Sequence, residues 1–145
     1  MRKYLKMIVL ACCLPVCAYA DIELAPCYTE DQPIIVHFKY SGGDKRWDAA
    51  FGLDQNNVLV LGNNAVFSLH EDRGNVMKPK DGRTMRLHRN TRMTGPVDVR
   101  VDIKQVYPDL KPGTYVLTWG SQGGRGGDDA AERTLVKTFI FEITP

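Results

Sequence analysis

Polar and apolar residues alternate along most of this chain with a period of two, the signature of strands with one buried face. The clearest case is Val97 to Lys104, where Val97, Val99, Val101 and Ile103 share one face and Asp98, Arg100, Asp102 and Lys104 the other. A corner follows, Tyr107-Pro108-Asp109-Leu110-Lys111-Pro112-Gly113, and Thr114 to Trp119 runs on as the next strand. Earlier, Ile22-Glu23-Leu24 reads as a short first strand stopped by Ala25-Pro26, and Cys27 to Gln32 reads as a polar turn. Ile35 to Tyr40 sends Val36, Phe38 and Tyr40 one way and Ile35, His37 and Lys39 the other. Ser41-Gly42-Gly43-Asp44 is a turn whose glycines suit positive φ.

Beyond that turn, Lys45 to Leu53 mixes a helical-turn pattern with the alternating pair Phe51 and Leu53. Val58-Leu59-Val60-Leu61 is a continuous apolar run, as in a strand covered on both faces. Ala65 to His70 is another strand, and Glu71 to Asn75 turns the chain. Val76-Met77 and Thr84 to His88 read as weak strands, the latter with Met85 and Leu87 inward. Gly120 to Asp129 carries five glycines and reads as a hairpin loop, since glycine loses the most backbone freedom on ordering. Ala130 to Arg133 reads as its returning edge, and Thr134 to Ile143 as the last long strand. The expectation is an all-β fold, an immunoglobulin-like antiparallel β-sandwich of about seven to nine strands.

The first twenty residues stand apart. Arg2, Lys3 and Lys6 precede an apolar run, Met7 to Val16, and Ala18-Tyr19-Ala20 is a small-residue cleavage site. We therefore expect a signal peptide over 1–20, cleaved after Ala20, and one domain over 21–145. Lipid attachment at Cys17 competes, but it favours a small residue where Val16 stands. Export places the protein in a secreted or periplasmic compartment. It also leaves 16 bases against 17 acids, since the 19 Lys+Arg and 17 Asp+Glu of the whole chain lose three bases and no acid. A near-neutral domain gives no electrostatic case for nucleic acid. Cys12, Cys13 and Cys17 leave with the signal, so Cys27 remains as a lone thiol. The first expectation for it is a partly buried small residue; the alternative is a disulfide-linked dimer.

Catalytic signals are sparse. Ser41, Ser68 and Ser121 sit in no G-x-S-x-G elbow, and the pairs Glu71/Asp72 and Asp128/Asp129 fall in turns. His37, His70 and His88 have no metal-ligand spacing, and the glycine-rich segment lacks a phosphate-loop lysine. We expect no enzyme activity, cofactor or metal. For contact with a partner, the candidates are Trp47 and Trp119 as aromatic anchors, Trp119 suiting a cap on the core equally well, the loop residues Gln122, Arg125 and Asp128, and Arg86, Arg89 and Arg92. The last three belong to the basic stretch Lys78 to Arg92, which reads either as an anion-binding surface or as a solvated, charge-protected edge.

The corner Leu110-Lys111-Pro112-Gly113-Thr114-Tyr115 resembles the L-x-P-G-x-Y corner of several secreted immunoglobulin-like domains. Together with Tyr40-Ser41-Gly42, Phe67-Ser68-Leu69 and Asp72-Arg73-Gly74-Asn75-Val76, it is similar to the non-catalytic β-domain of deuterolysin-type and peptidyl-Lys metalloendopeptidases. It is similar also to the intracellular proteinase-inhibitor family. The chain has no His-Glu-x-x-His, so the peptidase chemistry does not carry over. The resemblance implies a fold and a protease-facing role. The expected function is thus a non-enzymatic module that binds another macromolecule, as a protease inhibitor or accessory. The alternative is a domain that binds carbohydrate or envelope polymer.

Overall fold

A computed structural model describes residues 20–43, 45–48, 50–62, 64–80, 85–86, 95–121 and 135–145. Residues 1–19, the expected export signal but for Ala20, lie outside these, as do 44, 49, 63, 81–84, 87–94 and 122–134. The fold is all-β. Its strands are β1 (Ala20–Glu23), β2 (Cys27–Thr29), β3 (Ile35–Tyr40), β4 (Phe51–Leu53), β5 (Leu59–Leu61), β6 (Ala65–Glu71), β7 (Met85–Arg86), β8 (Val97–Asp102), β9 (Gly113–Ser121) and β10 (Leu135–Thr144). One helical turn, α1 (Lys45–Asp48), and a 3-10 turn, Ile103–Gln105, complete the described elements. No helix among the described residues is long and apolar enough to cross a membrane.

Three sheets form, ordered β1-β3-β8, β2-β10-β9-β6 and β4-β5-β7. Pairing is antiparallel except for β2 with β10 and β5 with β7. The alternating stretches behave as their period dictates. Val36, Phe38, Tyr40, Val97 and Val101 are buried on the inner face of the first sheet. Tyr115, Leu117, Trp119, Phe141 and Ile143 are buried on the inner face of the second. The two inner faces meet in one core, with Phe38 edge-on to Trp119 at 5.8 Å between ring centroids. The run Val58 to Leu61 is buried throughout, as its unbroken apolar character requires.

The turns also follow their residues. Gly42 and Gly43 take φ of 81° and 91°, a region open to glycine and strained for most side chains. Asp54 closes the β4–β5 turn by accepting the amides of Asn56 (2.8 Å) and Val58 (3.0 Å), and Asn57 takes φ 58° within it. Asp102 caps the 3-10 turn by accepting the amide of Lys104, and also that of Ile34 on the neighbouring chain segment.

Three expectations change. The strand read over Val97 to Lys104 ends at Asp102, where Ile103–Gln105 forms a 3-10 turn. Cys27 to Thr29 is a strand, not part of a turn. Ala25-Pro26 is where the chain passes from the first sheet to the second, and Tyr28 fixes that passage: its hydroxyl accepts the Ala25 amide (2.8 Å) and donates to the Ile35 carbonyl (3.4 Å). Val76 makes only an isolated bridge with His70 and is exposed, so Val76-Met77 is not a strand of its own.

Candidate functional site

The aromatic candidates belong to the core. Trp119 lies in the same phase of β9 as Tyr115 and Leu117, and it is 2 % exposed. Trp47, on α1, is 6 % exposed and packs 4.9 Å from Trp119, with Phe51 5.0 Å from Trp119 on another side. Burial removes both tryptophans as stacking platforms: a bound sugar needs an open ring face, and these faces are filled by other rings. The Trp119 indole N–H has no hydrogen-bond partner among the described residues.

Arg86 projects from β7 and lies 3.4 Å from the buried carboxylate of Asp54. The backbone amide of Val58, then that of Asn56 and the Arg86 charge, hold the Asp54 carboxyl below its usual range. Arg86 thus supports a turn carboxylate through the parallel pairing of β5 and β7, a contact that no local sequence pattern announces. Arg89, Arg92, Gln122, Arg125 and Asp128 lie outside the described residues, as do Arg83 and His88. Lys78 and Lys80 are exposed.

Cys27 is exposed, which corrects the expectation of a partly buried thiol. Its neighbour Tyr28 points into the core, and a strand sends the next side chain outward. Among the described residues no group of His, Cys, Asp and Glu is arranged to hold a metal ion. His37 and His70 stand on the outer faces of different sheets.

Those two outer faces differ sharply. On the first sheet the outward positions other than Ile35 are mostly charged, and cross-strand pairing joins several of them. His37 Nδ1 lies 3.2 Å from Glu23 Oε2, and its Nε2 lies 2.5 Å from Asp98 Oδ1. Lys39 also pairs with Glu23. The Lys39 hydrogen bond, ahead of contributions from His37, holds the Glu23 carboxyl below its usual range. The hydrogen bond with His37 does the same for Asp98.

The second sheet shows an outer grid almost without charge. Register places Val66, Gly120 and Val136 in one row across β6, β9 and β10. Ser68, Thr118 and Thr138 form the next, and His70, Val116 and Ile140 the third. A fourth row joins Thr114, Glu142 and Cys27 across β9, β10 and β2. Ile140 is 66 % exposed and Val136 45 % exposed, and Glu142 is the one acid in the grid. Sequence reasoning missed this face. Its signal was present in the last strand, where Val136, Thr138 and Ile140 occupy one phase while Phe139, Phe141 and Ile143 occupy the other.

No protein-family model, curated protein or solved structure matches this chain.

Proposed function

We propose that this chain is an immunoglobulin-like sandwich that works outside the cytoplasm as a non-enzymatic binding module, contacting another protein through the outer face of β2-β10-β9-β6. The immunoglobulin-like reading draws on topology. The orders β1-β3-β8 and β2-β10-β9-β6 correspond to A-B-E and A′-G-F-C of that architecture, with the first strand divided between the two sheets. The Tyr115 hydroxyl bonds back to Lys111 at the start of the penultimate strand, as in the tyrosine corner of such domains.

The observation that carries the functional reading is the exposure of Ile140 and Val136 on a face with almost no charge. Isolated surface apolar residues are ordinary, but a contiguous uncharged patch on a regular sheet marks a contact surface. Among the described residues the perturbed titrating groups have structural explanations: exposed carboxylates in ion pairs, Asp31 bonded by the Thr29 hydroxyl, the turn carboxylate Asp54, and tyrosines raised by burial. That distribution supports contact in preference to catalysis. The alternative, carbohydrate binding, draws on Trp47, which is buried, and on a basic stretch of which Arg83, Arg89 and Arg92 lie outside the described residues.

The test uses the exported chain immobilised against a native extracytoplasmic fraction, beside the double variant Val136→Lys/Ile140→Lys. The wild type should retain a defined protein, identified by mass spectrometry, and the variant should retain at least about tenfold less, the effect of losing anchors at an interface centre. Retention should change little with salt, because exposed ion pairs would be screened and apolar contacts are not. Secreted endoproteases belong among the species assayed. Equal retention by the two chains overturns the reading.

A further inference from the structure

We infer that the occupant of this face is a second copy of the chain, packed face to face about a two-fold axis parallel to the strands; this rests on the reading of the face as a contact surface. Such an axis reverses the lateral order of the strands, so β10 of one copy lies over β9 of the other. By register, Ile140 then sits over the second copy's Val116, Thr138 over Thr118, and Val136 over Gly120. Gly120 has no side chain and is itself buried in its row, between Val66 and Val136. The same rotation repeats every contact, so one patch of β-branched residues serves as both halves of the interface.

Charge does not oppose the arrangement. Glu142 lies in the end row and is placed over Thr114, toward the rim and not against its symmetry mate. The other outer face could not be closed in this way without desolvating Glu23, His37, Lys39 and Asp98. The area is sufficient: four strands about 4.8 Å apart, with a rise of about 3.3 Å per residue along β9, make a face on the order of 500 Å² in projection. Two such faces bury accessible surface on the order of 1,000–1,500 Å², the lower part of the range for specific interfaces. Sheets packed this way stand about 10 Å apart, too far for a bridge between Cys27 residues across the interface. The association is therefore non-covalent, with Cys27 left as a thiol at the rim.

Light scattering and sedimentation equilibrium on the exported chain, over about 1 to 100 µM, test this directly. The expected mass is twice that of one chain, unchanged by a reducing agent and by Cys27→Ser. The double variant Val136→Lys/Ile140→Lys should be monomeric with an unaltered circular dichroism spectrum, because both side chains point outward. Ile35→Lys, exposed on the opposite sheet, should remain dimeric. A monomeric wild type at the highest concentration overturns the inference, as does a dimer that survives the double substitution. A monomeric wild type whose protein retention still falls in the double variant overturns self-association alone. Undiminished retention and an intact dimer together overturn the contact face itself.

Discussion

The hydroxyl of Tyr115 accepts a hydrogen bond from the amide of Lys111 (3.0 Å) and donates one to the carbonyl of the same residue (2.8 Å). The aromatic ring is buried and stacks on Phe141 at 5.6 Å, so the phenol carries the corner's backbone bonds to the edge of the core. Gly113 takes φ 155° between the two, which allows the chain to turn into β9. Tyr115→Phe keeps the stacking and removes both bonds. The expected loss is about 1–3 kcal/mol, seen as a lower midpoint in urea with an unchanged denaturant slope.

Trp119 and Leu117 neighbour one another in the inner phase of β9, yet their replacements should behave differently. Leu117→Ala opens a cavity among fully buried residues and should cost about 2–5 kcal/mol. Trp119→Phe also removes volume, but it deletes an indole N–H with no partner among the described residues, whose burial is unfavourable by about 1–3 kcal/mol. The phenylalanine variant should therefore be the more stable of the two. Urea titrations of both chains check the order, and a Trp119→Phe loss exceeding that of Leu117→Ala refutes it.

Acid should loosen the first sheet. Glu23 and Asp98 have folded-state pKa values depressed by hydrogen bonds from Lys39 and with His37, respectively. Below their ordinary range the unfolded chain binds more protons at these sites than the folded chain. Their contribution is thus complete above about pH 5 and declines as pH falls through about 4. The neighbouring groups that set the field are His37, Lys39 and Arg100. Both carboxylates are exposed, so the effect is modest. Glu23→Gln/Asp98→Asn should flatten the acid limb of a melting-temperature profile; an unchanged limb would show that other groups govern it.

Cys27 should react as an open thiol. Its place on the outward phase of β2 predicts labelling by a thiol reagent in the native state at a rate close to that in urea. Protection by tenfold or more in the native state, relieved by denaturant, would contradict its exposure.

Much of the fold was legible because its strands are half-buried. Ile35 to Tyr40 and Val97 to Asp102 announce their inward faces by alternation alone, and Gly42-Gly43 announces its turn. Cys27 to Thr29 did not, because three residues after a proline are too few to show a period. The role of Arg86 depends on parallel pairing with a strand far back in the chain, which is set by tertiary packing. Trp119 ends the apolar part of its stretch, a place that suits a partner anchor and a cap on the core equally, and its phase with Tyr115 and Leu117 decides for the core. The outer grid was hidden for another reason. No strand contributes more than two outward aliphatic residues, and the patch exists only once β6, β9 and β10 lie side by side.

The parallel pair of β2 with β10 ties residues near the start of the domain to Glu142, Ile143 and Thr144. A ribosome must therefore translate past Thr144 before this sheet can close, and until then the segment from Cys27 to Thr29 lacks the strand it pairs with. Removal of Glu142, Ile143 and Thr144 should therefore release the segment from Cys27 to Thr29 as well, so that a cut late in the chain frees a strand near its beginning.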